Sequence, residues 1–268
     1  MNVRRGYADG PFGQVHFRAT PQVAGPAPLV CLHATAYSSQ SFLPLMAALD
    51  GRRQVIAIDA PGYGESDAPP PGTDMAGYAT AVAAAVDATA AGPVTLFGYH
   101  TGVYVATELA IARPELVERL VLVGVPYFQA LDLDAWRTRL AAKHSLGDRL
   151  DQFAERWDYL VTRRHPGVSL ARGFTNFVDD LMAWPDGWRA HEAMFDYDSD
   201  ARLPLVRQPV LVLNPAGHLA PASRAAARLL SASAVIEMPE VEGPVLEIAA
   251  KRLASEIEGW LAGRAEAA

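Results

Sequence analysis

The stretch Gly98-Tyr99-His100-Thr101-Gly102 holds the residue types and spacing most suited to chemistry. The apolar run Pro93-Val94-Thr95-Leu96-Phe97 enters it, and the helix-compatible run Val103 to Ala110 leaves it. Strand, tight turn and helix succeed one another, and the two glycines leave room for a turn sharp enough to lift the central side chain above a sheet. That side chain is an imidazole. At a helix start the unsatisfied N–H groups and the positive dipole end disfavour imidazolium, so the ring is expected to be neutral. A neutral histidine on a pocket floor is a competent general base near neutral pH.

Other reactive side chains are scattered. His33 ends the apolar run Leu29-Val30-Cys31-Leu32, His218 lies in a loop before Pro221, and Glu242 neighbours Glu240. Ser38, Ser39 and Ser66 are loop serines with no glycine-flanked turn to present them, which makes each a weak nucleophile candidate. His33, His100, His218 and Glu242 are suitable ligand types for zinc or iron, but the helical i, i+4 spacing of a strong metal motif is missing. No metal and no cofactor are expected. Trp184, Trp188, His191 and Phe195 recur at helical spacing, so they are expected on helices, with one apolar face roofing a pocket.

The elements that must position these groups follow a strand–helix rhythm. Gly6-Tyr7-Ala8 and Gln14 to Arg18 read as short strands around a turn. Pro28 to Leu32, Gln54 to Ile58, Pro93 to Gly98 and Arg119 to Val125 read as buried strands, separated by helices over Ser41 to Leu49, Thr73 to Ala91 and the segment after Gly102. Strands then stop, and Asp132 to Asp200 reads as helical. The rhythm resumes with Pro209 to Leu213, Pro221 to Leu230, Ala234 to Met238 and Leu246 to Leu261. Buried strands alternating with helices imply an α/β fold with a mostly parallel central sheet covered on both faces. The expected organisation is a first core part over residues 1–126, a helical cap inserted after the sixth strand over 127–203, and a second core part over 204–268.

Composition narrows the function classes. The chain has 268 residues, 50% of them hydrophobic, and a formal net charge of -7. It has no basic stripe to neutralise phosphates, so nucleic acid is not an expected partner. Short clusters such as Arg52-Arg53 and Arg163-Arg164 read as solvated surface. No run of apolar residues is long enough to span a membrane, and the first residues lack a signal-peptide pattern. The single Cys31 cannot form an internal disulfide and fits a cytoplasmic location.

Four segments carry a family resemblance: Leu32-His33-Ala34-Thr35-Ala36 with Ser38-Ser39, Asp59-Ala60-Pro61-Gly62-Tyr63-Gly64, Gly98 to Gly102, and Arg119-Leu120-Val121-Leu122-Val123. In this order the chain resembles the α/β-hydrolase superfamily over essentially its whole length, and within it the lid-bearing subgroup. The resemblance implies a Ser, Asp or Cys nucleophile at the central elbow position, an acid after the strand matching Pro209 to Leu213, and a histidine after the last strand. This chain has His100 at the elbow, His218 where the acid is expected, and Val241-Glu242-Gly243 with no histidine in the last loop. An acyl-enzyme mechanism therefore does not transfer.

The residues present point instead to a reaction on a small, largely apolar organic molecule with His100 as base, either hydrolysis by activated water or proton abstraction of the lyase or cyclase type. Glu242 with His100 or His218 would rebuild a carboxylate–imidazole pair with permuted roles. The Ala34 and Thr101 amides would be the oxyanion donors, with His33 bracing their loop. His33, Thr35, Tyr37, Tyr99, Tyr127, Trp184, Trp188 and His191 are expected to line the substrate pocket. A homodimer is compatible with this reading. Two other readings stay open: a catalytically silent small-molecule binder on the same fold, and a hydrolase with a rearranged triad.

Overall fold

A computed structural model describes residues 1–144, 150–184 and 186–263. The first strands, β1 (Arg4–Gly10) and β2 (Gly13–Ala19), pair antiparallel as a hairpin. They are followed by β3 (Leu29–Leu32), α1 (Leu43–Ala48), β4 (Val55–Ile58), α2 (Met75–Thr89), β5 (Val94–Tyr99), α3 (Thr101–Ala112) and β6 (Val117–Val123). Between β6 and the next strand run α4 (Leu133–His144), α5 (Leu150–Trp157), α6 (Leu170–Met182), α7 (Arg189–Phe195) and α8 (Ser199–Arg202). The chain closes with β7 (Val210–Ala216), α9 (Ala220–Ala227), β8 (Ser233–Glu242), α10 (Val245–Ile248) and α11 (Ala250–Leu261).

The strands form one eight-stranded sheet in the order β1-β2-β4-β3-β5-β6-β7-β8. The β1–β2 and β2–β4 pairs are antiparallel and the others parallel. Strand periodicity explains why both faces are covered. Val30, Leu32, Ile56, Ile58, Leu96, Leu120, Leu122, Val210 and Val212 point to the side of α2 and α3. The alternate residues Leu29, Cys31, Val55, Ala57, Phe97, Val121, Val123, Leu211 and Leu213 point to the side of α1 and α11. Cys31 is thus a core side chain, and burial pushes its thiol well above its ordinary pKa. The strand order reverses between β3 and β5, so the crevice at their carboxyl ends is where an open α/β sheet accepts a ligand.

The helical insertion between β6 and β7 is fastened to α3. Tyr104 Oη donates to Pro126 O at 2.5 Å, where the insertion departs. Glu108, one turn later, accepts from Tyr197 Oη (2.7 Å) and from Arg202 Nε and Nη2 (2.8 and 2.6 Å), where it returns. A second seam is polar: Ser38 Oγ donates to buried Asp179 of α6 at 2.8 Å, and Arg172 Nη1 to Gln40 O at 2.9 Å. Burial raises the Asp179 carboxyl to about 6. Arg53 departs from the expectation of a solvated arginine. It is buried and donates to Glu258 (2.8 Å) and to Ala27 O, holding the chain before β3 against α11.

Candidate active site

The glycines beside His100 are sterically required. A Cβ on Gly98 would sit 2.7 Å from Val103 Cα, and one on Gly102 would be driven into the Leu32 carbonyl. Here the elbow helix packs directly on the end of β3. Between the glycines His100 adopts φ 50 and ψ −113, the one positive φ at a non-glycine among the described residues. Such a conformation costs about 1–3 kcal/mol and persists only where the surroundings enforce it. His100 N donates to Val123 O (3.0 Å) and His100 O accepts from Val103 N (2.9 Å), pinning the turn between β6 and α3.

The His100 imidazole is partly exposed and makes no hydrogen bond within the described residues. It packs edge-on to Tyr99, with ring centroids 4.2 Å apart, and leans on Gly124, whose added Cβ would lie 2.8 Å from Nε2. Its pKa is lowered to about 4, first by burial and then by the nearby His218. The ring is neutral, as expected, but burial is the main cause and not the helix dipole. Gly124→Ala should push the ring aside. Turnover should fall by up to about a hundredfold, and the His100 ring signals in an NMR spectrum should shift. Unchanged His100 signals in that variant would remove Gly124 from this role.

His33 supports the neighbouring loop. Its Nδ1–H donates to Ala34 O (2.9 Å) and its Nε2 accepts from Ala60 N (2.9 Å), so both ring nitrogens are committed to backbone. Burial lowers its pKa, in keeping with this neutral tautomer. It braces the loops after β3 and β4 and has no lone pair left for a ligand. Neither the Ala34 nor the Thr101 N–H donates to a backbone carbonyl among the described residues, and Thr101 is the first residue of α3. The two loops touch through Thr35 Oγ1, which donates to Thr101 Oγ1 at 3.0 Å. Thr101 Oγ1 in turn faces Met194 Sδ of α7 at 3.7 Å, bringing the insertion onto the elbow. Tyr37 and Tyr99 are half-buried, and burial keeps both phenols protonated far above the neutral range.

His218 is exposed and its ring lies against Trp136 of α4, 5.2 Å between centroids, close enough to His100 to act on it electrostatically. Glu242 ends β8 exposed, and its side chain forms no hydrogen bond or ion pair among the described residues, so no carboxylate–imidazole pair with His100 is assembled. Tyr127 Oη is bonded to Asp200 at 2.6 Å and serves the junction of the insertion. Trp184, Trp188 and His191 do not share one helical stripe. α6 ends at Met182 and α7 begins at Arg189, so Trp184 is an exposed linker residue and Trp188 caps α7. His191 is buried and stacked on Phe195, with 6.3 Å between ring centroids.

The buried pair His16–Asp59 had no sequence signal beyond the Asp59-Ala60-Pro61-Gly62 motif. His16 Nδ1 meets Asp59 Oδ2 at 2.7 Å, and Asp59 also accepts from Ser39 N (2.5 Å) and Glu65 N (3.0 Å). One carboxylate thus ties β2, the loop after β3 and the loop after β4. Tyr63 of the last loop donates to Gly187 O at 2.9 Å, carrying the support into the insertion.

Known proteins agree with this architecture. The α/β hydrolase fold family model matches residues 27–219. The chain is similar to a 2-(acetamidomethylene)succinate hydrolase from Mesorhizobium japonicum, 29% identical over 58% of this chain and 55% of that one. The chain therefore spans about half the length of that relative. It is 27% identical to a pyrrolizixenacetamide deacetylase from Xenorhabdus hominickii, over 74% of this chain and 76% of the relative. The crystal structure of the esterase RhEst1 from a Rhodococcus species superposes with a TM-score of 0.80, at 26% identity, covering 99% of this chain and 100% of that one. With the mostly parallel sheet, the glycine-flanked elbow and a family match over residues 27–219, the chain belongs to the α/β-hydrolase fold family.

Proposed function

We propose that the protein is an enzyme acting on a small, largely apolar organic molecule, with His100 as a general base and no covalent serine ester. One observation carries this reading: an unbonded, neutral, partly exposed imidazole stands at the strained apex of the elbow. The Ala34 and Thr101 amides would hold the oxyanion or enolate that forms as His100 takes a proton. A base whose conjugate acid has a pKa of about 4 is weak, so it needs that developing negative charge beside it to stabilise the imidazolium. Hydrolysis by activated water, carbon–carbon cleavage, elimination and cyclisation all meet this requirement. The names of the two relatives, a hydrolase and a deacetylase of acetamide-bearing molecules, make small amides the first substrates to assay. The insertion would act as the cap, with Met194 and the half-buried Trp188 on its pocket side.

A fluorophosphonate probe tests the absence of a serine nucleophile. The protein should remain unlabelled, because an unactivated hydroxyl is a poor nucleophile. Stoichiometric labelling of any serine would overturn the base mechanism in favour of a rearranged triad. The missing carboxylate behind His100 favours a second reading, a silent binder that keeps the pocket. Ligand binding without turnover in the wild-type protein would select it.

A further inference from the structure

A second cleft of about 460 Å³ lies apart from the His100 site, between the start of α2, the middle of α3 and the returning end of the insertion. Its walls include Tyr78, Asp74, Arg189, Glu192, Tyr197 and Arg202. Tyr78 is only 1% exposed, yet its hydroxyl has no hydrogen-bond partner among the described residues. Buried phenols ordinarily find one. Tyr78 lines the cleft, with Arg189 near its phenol.

The charges around the cleft indicate what would satisfy that hydroxyl. Five carboxylates (Asp74, Glu108, Glu192, Asp196 and Asp198) face two guanidinium groups, Arg189 and Arg202. Most are already engaged. Arg202 holds Glu108, Arg189 holds Asp186 (2.8 Å), and Asp196 meets Arg137 at 2.8 Å. Asp74 and Asp198 cap helices through Gly77 N (2.8 Å) and Ala201 N (3.0 Å). Glu192 has no ion pair among the described residues. Burial, then Asp196, raises its pKa against the opposing fields of Arg137 and Arg189, neither of which closes to an ion pair with it. Burial keeps the Tyr78 phenol neutral, so its oxygen can accept a proton donor.

We propose that this cleft binds a small organic amine, its ammonium held by Glu192 and the Tyr78 oxygen and its body resting on Met75 and Tyr197. A cation fits the excess of carboxylates, and an aromatic wall adds to its attraction. A carboxylate ligand of the same size would meet uncompensated negative charge. The lining also contains Glu108, Tyr197 and Arg202, which fasten the insertion to α3. A bound amine would therefore rest on that fastening and not in the His100 pocket.

Calorimetric titration of the full chain with benzylamine at neutral pH, with benzoate as the matched anion, tests this. Benzylamine should bind at one saturable site with an affinity of about millimolar, and benzoate should not. Glu192→Gln, a substitution at an exposed helix position, should weaken benzylamine about tenfold or more. Tyr78→Phe should weaken it a few-fold, and His100→Ala should leave it unchanged. Benzoate binding as well as benzylamine, no saturable binding of benzylamine, or an affinity indifferent to Glu192→Gln would each contradict the proposal. Loss of binding in His100→Ala would assign the amine to the other pocket and overturn it as well.

Discussion

Replacing His100 with alanine should lower turnover of the best substrate by about two to four orders of magnitude, the usual contribution of a positioned base. KM should move far less, because the Ala34 and Thr101 amides and the pocket walls stay in place. The sign of the pH dependence follows from the neutral ring. With a pKa lowered to about 4, His100 is already unprotonated throughout the neutral range, so the rate should be flat there and fall as pH drops through about 4. Stability follows the same sign. Between the ordinary value of 6.5 and about 4 the unfolded chain takes up a proton that the partly buried ring refuses. The contribution of this ring to stability is complete above 6.5 and is lost progressively as pH falls toward 4. Wild-type and alanine proteins with equal turnover would remove His100 from the chemistry.

Asp59→Ala should cost about 3–5 kcal/mol of stability, read as a large drop in Tm or in the denaturant midpoint. The substitution leaves buried His16 without its partner and removes the acceptor for Ser39 N and Glu65 N. Burial alone would raise the Asp59 pKa. The His16 bond, the field of His33 and the Glu65 and Ser39 amides outweigh it and hold the carboxyl below its ordinary value of 3.8. The stabilisation is therefore present above 3.8 and lost as pH falls through the lower folded value. Since Ser39 follows the loop that carries Ala34, activity should fall with stability. A loss under about 1 kcal/mol would show that these bonds contribute little beyond what water would supply.

The elements around the site were legible because they obey local rules. Leu29-Val30-Cys31-Leu32 and Val121-Leu122-Val123 alternate between the two faces of the sheet, and buried parallel strands read as unbroken apolar runs. The elbow could be read from Gly98 and Gly102, where no Cβ can be accommodated. The structural role of His33 was legible from its place before the loop. The helical stripe through Trp184, Trp188 and Phe195 was misread, because the chain leaves α6 after Met182 and enters α7 at Arg189. Periodicity alone does not report such a break.

Contacts between distant segments were not legible at all. His16 and Asp59 are 43 residues apart, and nothing local distinguishes a buried hydrogen-bonded pair from two surface residues. Tyr127 reads as a pocket aromatic until Asp200, 73 residues later, is seen to take its hydroxyl. Arg53 reads as solvated until Glu258 is found beside it. Glu242 lies in the loop where the resemblance implies a histidine, but its side chain is exposed at the end of β8. Position within a motif indicates where a residue's backbone lies and not where its charge is directed.

NMR titration of the His100 imidazole, run alongside kcat/KM over the same pH range, tests the base role of this ring most directly. The His100 ring should titrate at about 4, and the acid limb of kcat/KM should fall at the same value and disappear in His100→Ala. A ring that titrates near its ordinary 6.5, or an acid limb that persists unchanged in the alanine protein, would contradict that role.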